Sequence, residues 1–267
     1  MRGFVLAIVF FMTWGPVFAE PAFMPGGAVT VASVIDGDTV TLSDGRTLRL
    51  VGIDAPTRGV PAVTAKSALM ELLKGGPIEL RFAGNPRDRQ GRVLAQVYVG
   101  DVWVEGELLR RGLVRVRSTA DNRIGMPEML ALERAARRYR RGIWADPAYA
   151  VRPPDGIGKF AGSFQIVSGT VANVTPSSGI MFLDFGGDRR NTLAITIDAD
   201  ALKLCRDAGF DPRTLKGQSI LVRGFIDGFA RPRLAVTHPE QIEILSRSKK
   251  KARDLRPGPA RKDDAAG

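Results

Sequence analysis

The feature that most restricts the fold is an alternating run of strand residues interrupted by an acidic glycine turn. Thr39-Val40-Thr41-Leu42 alternates polar and apolar side chains, Ser43-Asp44-Gly45-Arg46 follows, and Thr47 to Ile53 resumes the pattern. Strand side chains point to opposite faces with a period of two, so such a stretch buries one face and wets the other. The Asp-Gly pair supplies the positive φ that a tight hairpin requires. This commits the region to a half-buried antiparallel hairpin and excludes an all-helical fold.

The flanking segments extend the pattern. Residues Val29–Val34 read as a strand before the hairpin, and Ile78–Phe82 and Arg92–Val99 as further strands after it. A helical stretch is predicted over Ala62–Leu73, closed by Gly75-Gly76 and Pro77, and a short helix over Glu105–Arg111, ended by Gly112. A longer helix is expected from Pro127 to Arg141. Its Met129, Leu132, Ala136 and Tyr139 keep helical spacing toward Ile143, with Trp144 also read as core, and its outer face carries Arg134, Arg137, Arg138, Arg140 and Arg141. Five strands with inserted helices predict a mainly β fold with helices (α+β), a five-stranded barrel of the OB type over residues 28–148. Residues 149–159, rich in Pro and Gly, read as a linker. A second strand-dominated unit is expected over 160–245, with strands Phe164–Val174, Met181–Phe185, Thr192–Ile197, Gln218–Ile226 and Arg233–Val236 and a helix over Ala199–Ala208. It reads as a second small OB-like barrel. Residues 246–267 hold eight basic and three acidic residues, with Leu255 the sole large apolar one, and are expected to be a disordered basic tail.

The N-terminus reads as an export signal. Arg2 precedes an apolar stretch from Phe4 to Trp14, and Val17-Phe18-Ala19 is a small-x-small cleavage site. The apolar run falls short of the about 20 residues that a membrane span needs, which makes an uncleaved anchor the weaker reading. The expected location is periplasmic or extracellular. Composition narrows the function. The 267 residues carry 39 Lys+Arg against 28 Asp+Glu, a formal +11, which favours a polyanionic partner such as nucleic acid. One Cys (Cys205) and one His (His238) exclude a disulfide framework, a Cys-rich zinc site and two-His metal motifs. Cys205 is expected to be a structural thiol and His238 a turn residue.

Chemistry concentrates around the hairpin. Asp36 and Asp38 flank Gly37 in the turn before it, and Asp54 follows its last strand. Carboxylates gathered by adjacent strands form a hard, oxygen-rich pocket suited to calcium. Arg49 lies five residues before Asp54, and Arg92 opens the next long strand. Two guanidinium groups beside such a cation would clamp a phosphodiester and neutralise charge as its phosphorus becomes five-coordinate.

Several stretches together resemble the staphylococcal nuclease (thermonuclease) family. They are Val34-Ile35-Asp36-Gly37-Asp38-Thr39-Val40, Leu48-Arg49-Leu50-Val51-Gly52-Ile53-Asp54-Ala55-Pro56 and Asp88-Arg89-Gln90-Gly91-Arg92-Val93-Leu94-Ala95. Glu107-Leu108-Leu109-Arg110-Arg111-Gly112-Leu113-Val114 and the closing Gly142-Ile143-Trp144 follow in family order. The resemblance implies an OB-fold enzyme that cleaves DNA and RNA with calcium and no small-molecule cofactor. It implies calcium ligands at Asp38, Asp54 and the Ala55 carbonyl, with Asp36 in support, and phosphate binding by Arg49 and Arg92, with Arg89 a further phosphate contact. One position departs from the family. Where the family has a Glu that activates the attacking water, this chain has Thr57, whose hydroxyl cannot serve as a general base worth about 10²–10⁴ in rate. Calcium affinity should fall as well, one negative charge being absent.

The expected function is therefore an exported, calcium-dependent phosphodiesterase with weakened catalysis. The alternative is an inactive pseudonuclease that binds nucleic acid or an envelope partner through its OB units. In the second unit Phe182, Phe185, Phe225 and Phe229 are candidates for stacking unpaired bases, with core packing the competing role. Arg223 and Arg231, beside Arg189 and Arg190, are candidates for holding the backbone of a single strand.

Overall fold

The computed structural model describes residues 23–188, 190–228 and 231–245. The expected export signal and basic tail, together with Arg189 and Phe229, lie outside the described residues. The first unit runs β1 (Met24–Val29), β2 (Val31–Val34), β3 (Thr39–Leu42), β4 (Thr47–Leu50), β5 (Ile53–Asp54) and α1 (Gly59–Leu72). It continues with β6 (Ile78–Phe82), β7 (Val93–Val99), β8 (Val102–Trp103), α2 (Val104–Arg111), β9 (Arg115–Val116) and α3 (Met126–Arg138). The main sheet has the order β1-β6-β7-β4-β3-β2, with β8 added to β7 and β4 parallel to β7.

The strand expected at 29–34 is two strands broken at Thr30, and they occupy the two ends of that order. One residue thus spans both ends of the path, so the sheet curls strongly. The Asp44-Gly45 hairpin forms as expected, with Gly45 at φ 85°. Val40, Leu42, Leu48 and Leu50 turn inward against Leu80, Val97, Leu69 of α1, Leu108 of α2 and Met129 of α3. The period of two then sends Arg49 to the opposite face.

One acidic residue enters this core. Glu105, in the first turn of α2, is fully buried, and both its Oε atoms accept from the Val97 amide at 3.1 Å. Burial pushes its carboxyl up from 4.5 to about 8. The folded state therefore holds a proton that the unfolded chain releases above its own pKa, so this contribution is complete below pH 4.5 and is lost as pH rises toward 8. Denaturant unfolding between pH 4.5 and 8 is expected to show falling stability, and Glu105→Gln is expected to remove most of that slope. An unchanged slope in the variant would place the effect elsewhere.

The second unit contains β10 (Phe164–Thr170), β11 (Asn173–Ser177), β12 (Ile180–Asp184), β13 (Ala194–Ile197), α4 (Ala199–Asp207), β14 (Ser219–Phe225), β15 (Arg233–Val236) and β16 (Ile242–Ile244). They form one sheet ordered β10-β14-β16 and another ordered β11-β12-β13-β15, the last pair parallel. The single long strand expected at 164–174 turns after Thr170 and returns as the β11–β12 hairpin. The expected linker is stitched to this unit. Arg152 bridges Val167, Asp155 bridges Thr192, and Ile157 is buried in the second core.

The two units meet across a polar seam. Arg223 of β14, expected to face nucleic acid, is wholly buried. Its Nη1 lies 3.0 Å from both oxygens of Glu133 in α3, and its Nη2 pairs with Glu243 of β16. Arg134 reaches Glu243 at 2.8 Å and Arg137 reaches Glu133 at 3.1 Å, so two arginines expected on a solvated face serve the seam instead. Arg123 pairs with Glu240 at 2.8 Å, and His238 Nε2 lies 2.7 Å from Ser118 Oγ. Ala136, Ile143 and Trp144 share an apolar cluster with Phe164, Ile166 and Leu221. His238 is thus a buried contact whose imidazole is pushed down to about 4 by burial, and Cys205 is a buried thiol. Tyr139 was expected in the core but is 65% exposed, because α3 ends at Arg138 and the helical spacing stops with it.

Candidate functional site

The turn before β3 is shaped by its acids. Asp36, exposed, accepts the Asp38 amide on Oδ1 at 3.0 Å, which folds the chain back on itself. Gly37 packs so closely on α1 that a Cβ there would sit 2.7 Å from the Ala65 Cβ and 2.8 Å from that of Ala55. Asp38 is consequently buried beneath the turn. Its Oδ2 accepts the Ala55 amide at 2.6 Å, and its Oδ1 accepts the Thr39 hydroxyl at 3.0 Å and pairs with Arg49 Nη1 at 3.1 Å. Burial pushes the Asp38 carboxyl up to about 6, against the opposing pull of Arg49.

Arg49 ties the acids together. Its Nη2 lies 3.8 Å from Asp54 Oδ1 and donates to the Ile53 carbonyl at 3.0 Å, while Nη1 donates to the Leu50 carbonyl at 3.0 Å. Asp38, Asp54 and Arg49 therefore converge as the sequence suggested. Arg92 does not join them. It is held in its own turn by Asp88, with Nε 2.7 Å from Asp88 Oδ2, because Asp88 also accepts the Gln90 and Arg92 amides that close the turn. Arg89 is exposed nearby, and Arg231 is exposed in the second unit.

Two arginines that sequence reading passed over complete the cluster. Arg115 places Nη2 at 2.8 Å and Nε at 3.0 Å from Asp54 Oδ2, and Arg117 places Nη1 at 3.1 Å from Asp54 Oδ1. The signal was present in the alternation Val114-Arg115-Val116-Arg117, where both valines are fully buried and both arginines must share the other face. Burial alone would raise the Asp54 carboxyl, yet Arg115 and Arg117 outweigh it and hold the group below the usual carboxylate range. Arg115 also crosses to the second unit, where Nη1 donates to the Phe164 carbonyl at 3.1 Å and the guanidinium lies 4.6 Å from the Phe164 ring centre.

These contacts bear on the calcium that the family resemblance implies. A calcium ion needs six to eight oxygen ligands. Here both Asp38 oxygens are taken by protein donors and both Asp54 oxygens by guanidinium groups. Among the described residues no three His, Cys, Asp or Glu side chains gather round a common point. The residues present do not fit the ion. Millimolar calcium is accordingly expected to leave the melting temperature unmoved, whereas a site filled at a hundredfold excess over Kd would add about 2.7 kcal/mol. Thermal melts with calcium and with chelator check this, and a rise of several degrees would show that the arginines yield to the ion.

Thr57 is exposed in the loop between β5 and α1. Of the described carboxylates, Glu105 is committed to the Val97 amide and Glu71 lies 3.4 Å from Arg111, so neither stands in for the missing acid.

The first unit also has relatives by sequence. A model of the staphylococcal nuclease homologue family matches residues 47–146. An "uncharacterized endonuclease" of Escherichia coli is 30% identical over 151 residues, covering 55% of this chain and 92% of the relative. A thermonuclease of Staphylococcus intermedius is 27% identical over 140 residues, covering 49% of this chain and 83% of its own. Endonuclease YncB of Bacillus subtilis is 32% identical over 133 residues, 45% of this chain and 63% of the relative. The span matched by the family model begins at β4, the second strand of the hairpin, and contains the Asp54–Arg49 contact and the three helices α1, α2 and α3. Because 92% of the E. coli relative is matched at 30% identity, and because the architecture is mixed α+β, the chain belongs to the staphylococcal nuclease family.

Proposed function

We propose that the chain is an exported nuclease-type phosphodiesterase of low turnover acting on DNA or RNA, with its acidic pair and arginine cluster as the site. The observation that carries this reading is Arg49 joined at once to Asp38 and Asp54, beside the half-exposed Arg117. A nucleic-acid phosphate brings its own negative charge to compete with Asp54 for Arg115 and Arg117. Bidentate guanidinium contacts suit its oxygens and counter the charge that grows during displacement at phosphorus. Removal of a proton from the attacking water has no dedicated carboxylate, since Thr57 occupies that place, and turnover should be slow. The apolar stretch from Phe4 to Trp14 before Ala19 supports export, and the +11 charge supports a polyanionic substrate. The second unit, two small sheets around their own core, is read as an OB-like module that holds the strand.

The test is incubation of the protein lacking residues 1–19 with single-stranded DNA and with RNA, each with calcium, magnesium or chelator. Slow cleavage at enzyme excess is the expected result. Intact strands in every arm, with binding retained, would replace the reading by that of a pseudonuclease.

A further inference from the structure

We infer that Phe225 of the second unit and Arg117 of the first form a composite subsite for one nucleotide of a single strand, the base lying on the ring and the phosphate on the guanidinium. This rests on the nucleic-acid reading above and adds to it a substrate form and a role for the second unit. Large apolar rings at a sheet end are ordinarily buried, yet Phe225 is 50% exposed. It sits at the end of β14 opposite Phe164, packing on that ring edge-to-face at 5.7 Å between centres. That contact fixes its orientation while half of the residue stays exposed. The Arg117 guanidinium lies 5.0 Å from the ring centre, and its side chain is 41% exposed. The same guanidinium touches Asp54 at 3.1 Å, so the ring stands one side chain away from the acidic pair.

The chemistry selects the occupant. A flat aromatic surface beside a part-exposed cation matches a base joined to a phosphate. In a duplex the faces of the bases are stacked on each other, so the ligand is an unpaired segment. The other candidate rings differ. Phe185 packs into the second core and against Gly169, and Phe182 is half-buried. Tyr139 is exposed beside Arg138 and Arg141, but neither arginine pairs with Asp54, so it serves as the control.

The experiment is fluorescence anisotropy of a labelled oligothymidylate with the mature protein across a salt series, the strand's integrity being checked afterwards on a gel. Phe225→Ala is expected to weaken binding about ten- to hundredfold, the loss of one stacked base. Arg117→Gln is expected to weaken it and to lower the slope of log K against log salt by about 0.7, one phosphate contact on a single strand. Phe225→Trp should keep the affinity, and its added indole emission should be quenched by the strand. If Phe225→Ala lowers the melting temperature, Phe225→Leu, which keeps apolar bulk without a flat face, should show the same loss of binding. Wild-type affinity in the alanine and leucine variants, or a larger loss in Tyr139→Ala, would overturn the subsite alone. No binding by the wild-type protein would overturn the nucleic-acid reading on which it stands.

Discussion

Arg223→Met is expected to lower folding stability by about 3–5 kcal/mol, since removing one partner leaves buried charge without its counter-ion. Glu133 is wholly buried and takes Arg223 on both oxygens, and Glu243, almost as buried, takes the other end of the same guanidinium. Arg137 remains beside Glu133 and Arg134 beside Glu243, which places the effect toward the lower end of that range. Urea unfolding followed by tryptophan emission reads the change, because Trp144 lies in the apolar cluster that both units share. The exposed pair Arg46–Asp44 provides the contrast, since solvent screens it and its loss should leave the unfolding midpoint nearly unmoved. An equally small effect for Arg223→Met would mean that water or backbone movement satisfies the seam without the arginine.

Thr57→Glu is expected to raise the cleavage rate about a hundredfold, the lower part of the range for a positioned general base. The lower part applies because residue 57 is exposed, and a carboxylate there keeps an ordinary acidity and no fixed orientation. Initial rates on single-stranded DNA and RNA check the prediction, with Thr57→Gln as the neutral partner of similar size. A gain in Glu and none in Gln assigns the effect to proton removal. Equal rates in all three proteins would locate the block at Asp54, where Arg115 and Arg117 hold both carboxylate oxygens.

Much of the first unit was legible because its signals are local. The Asp-Gly hairpin, the period-two burial of Val40, Leu42, Leu48 and Leu50, and the glycine at 112 that ends α2 each depend on a few neighbouring residues. The Asp38–Arg49–Asp54 convergence followed from strands adjacent in sequence. What escaped reading depends on contacts between distant segments. Arg223 looked like a surface cation because its partners are 90 and 20 residues away, in α3 and β16. Arg92 is the local exception, held by Asp88 only four residues before it, which accepts the Gln90 and Arg92 amides as well as the guanidinium. Arg115 and Arg117 alternate with buried valines, but no local rule says which carboxylate they meet.

The seam also sets how portable the family-like part of this chain can be. Its α3 helix carries Glu133, which pairs with Arg137 of the same helix and also with Arg223 of a strand that begins only at Ser219. A fragment ending near residue 148 would keep Arg137 beside Glu133 but lose the Arg223 contact to both its oxygens, and Arg115 would lose the Phe164 carbonyl that steadies it. The second unit thus acts as a structural brace for the first, and the two behave as a single mechanical piece.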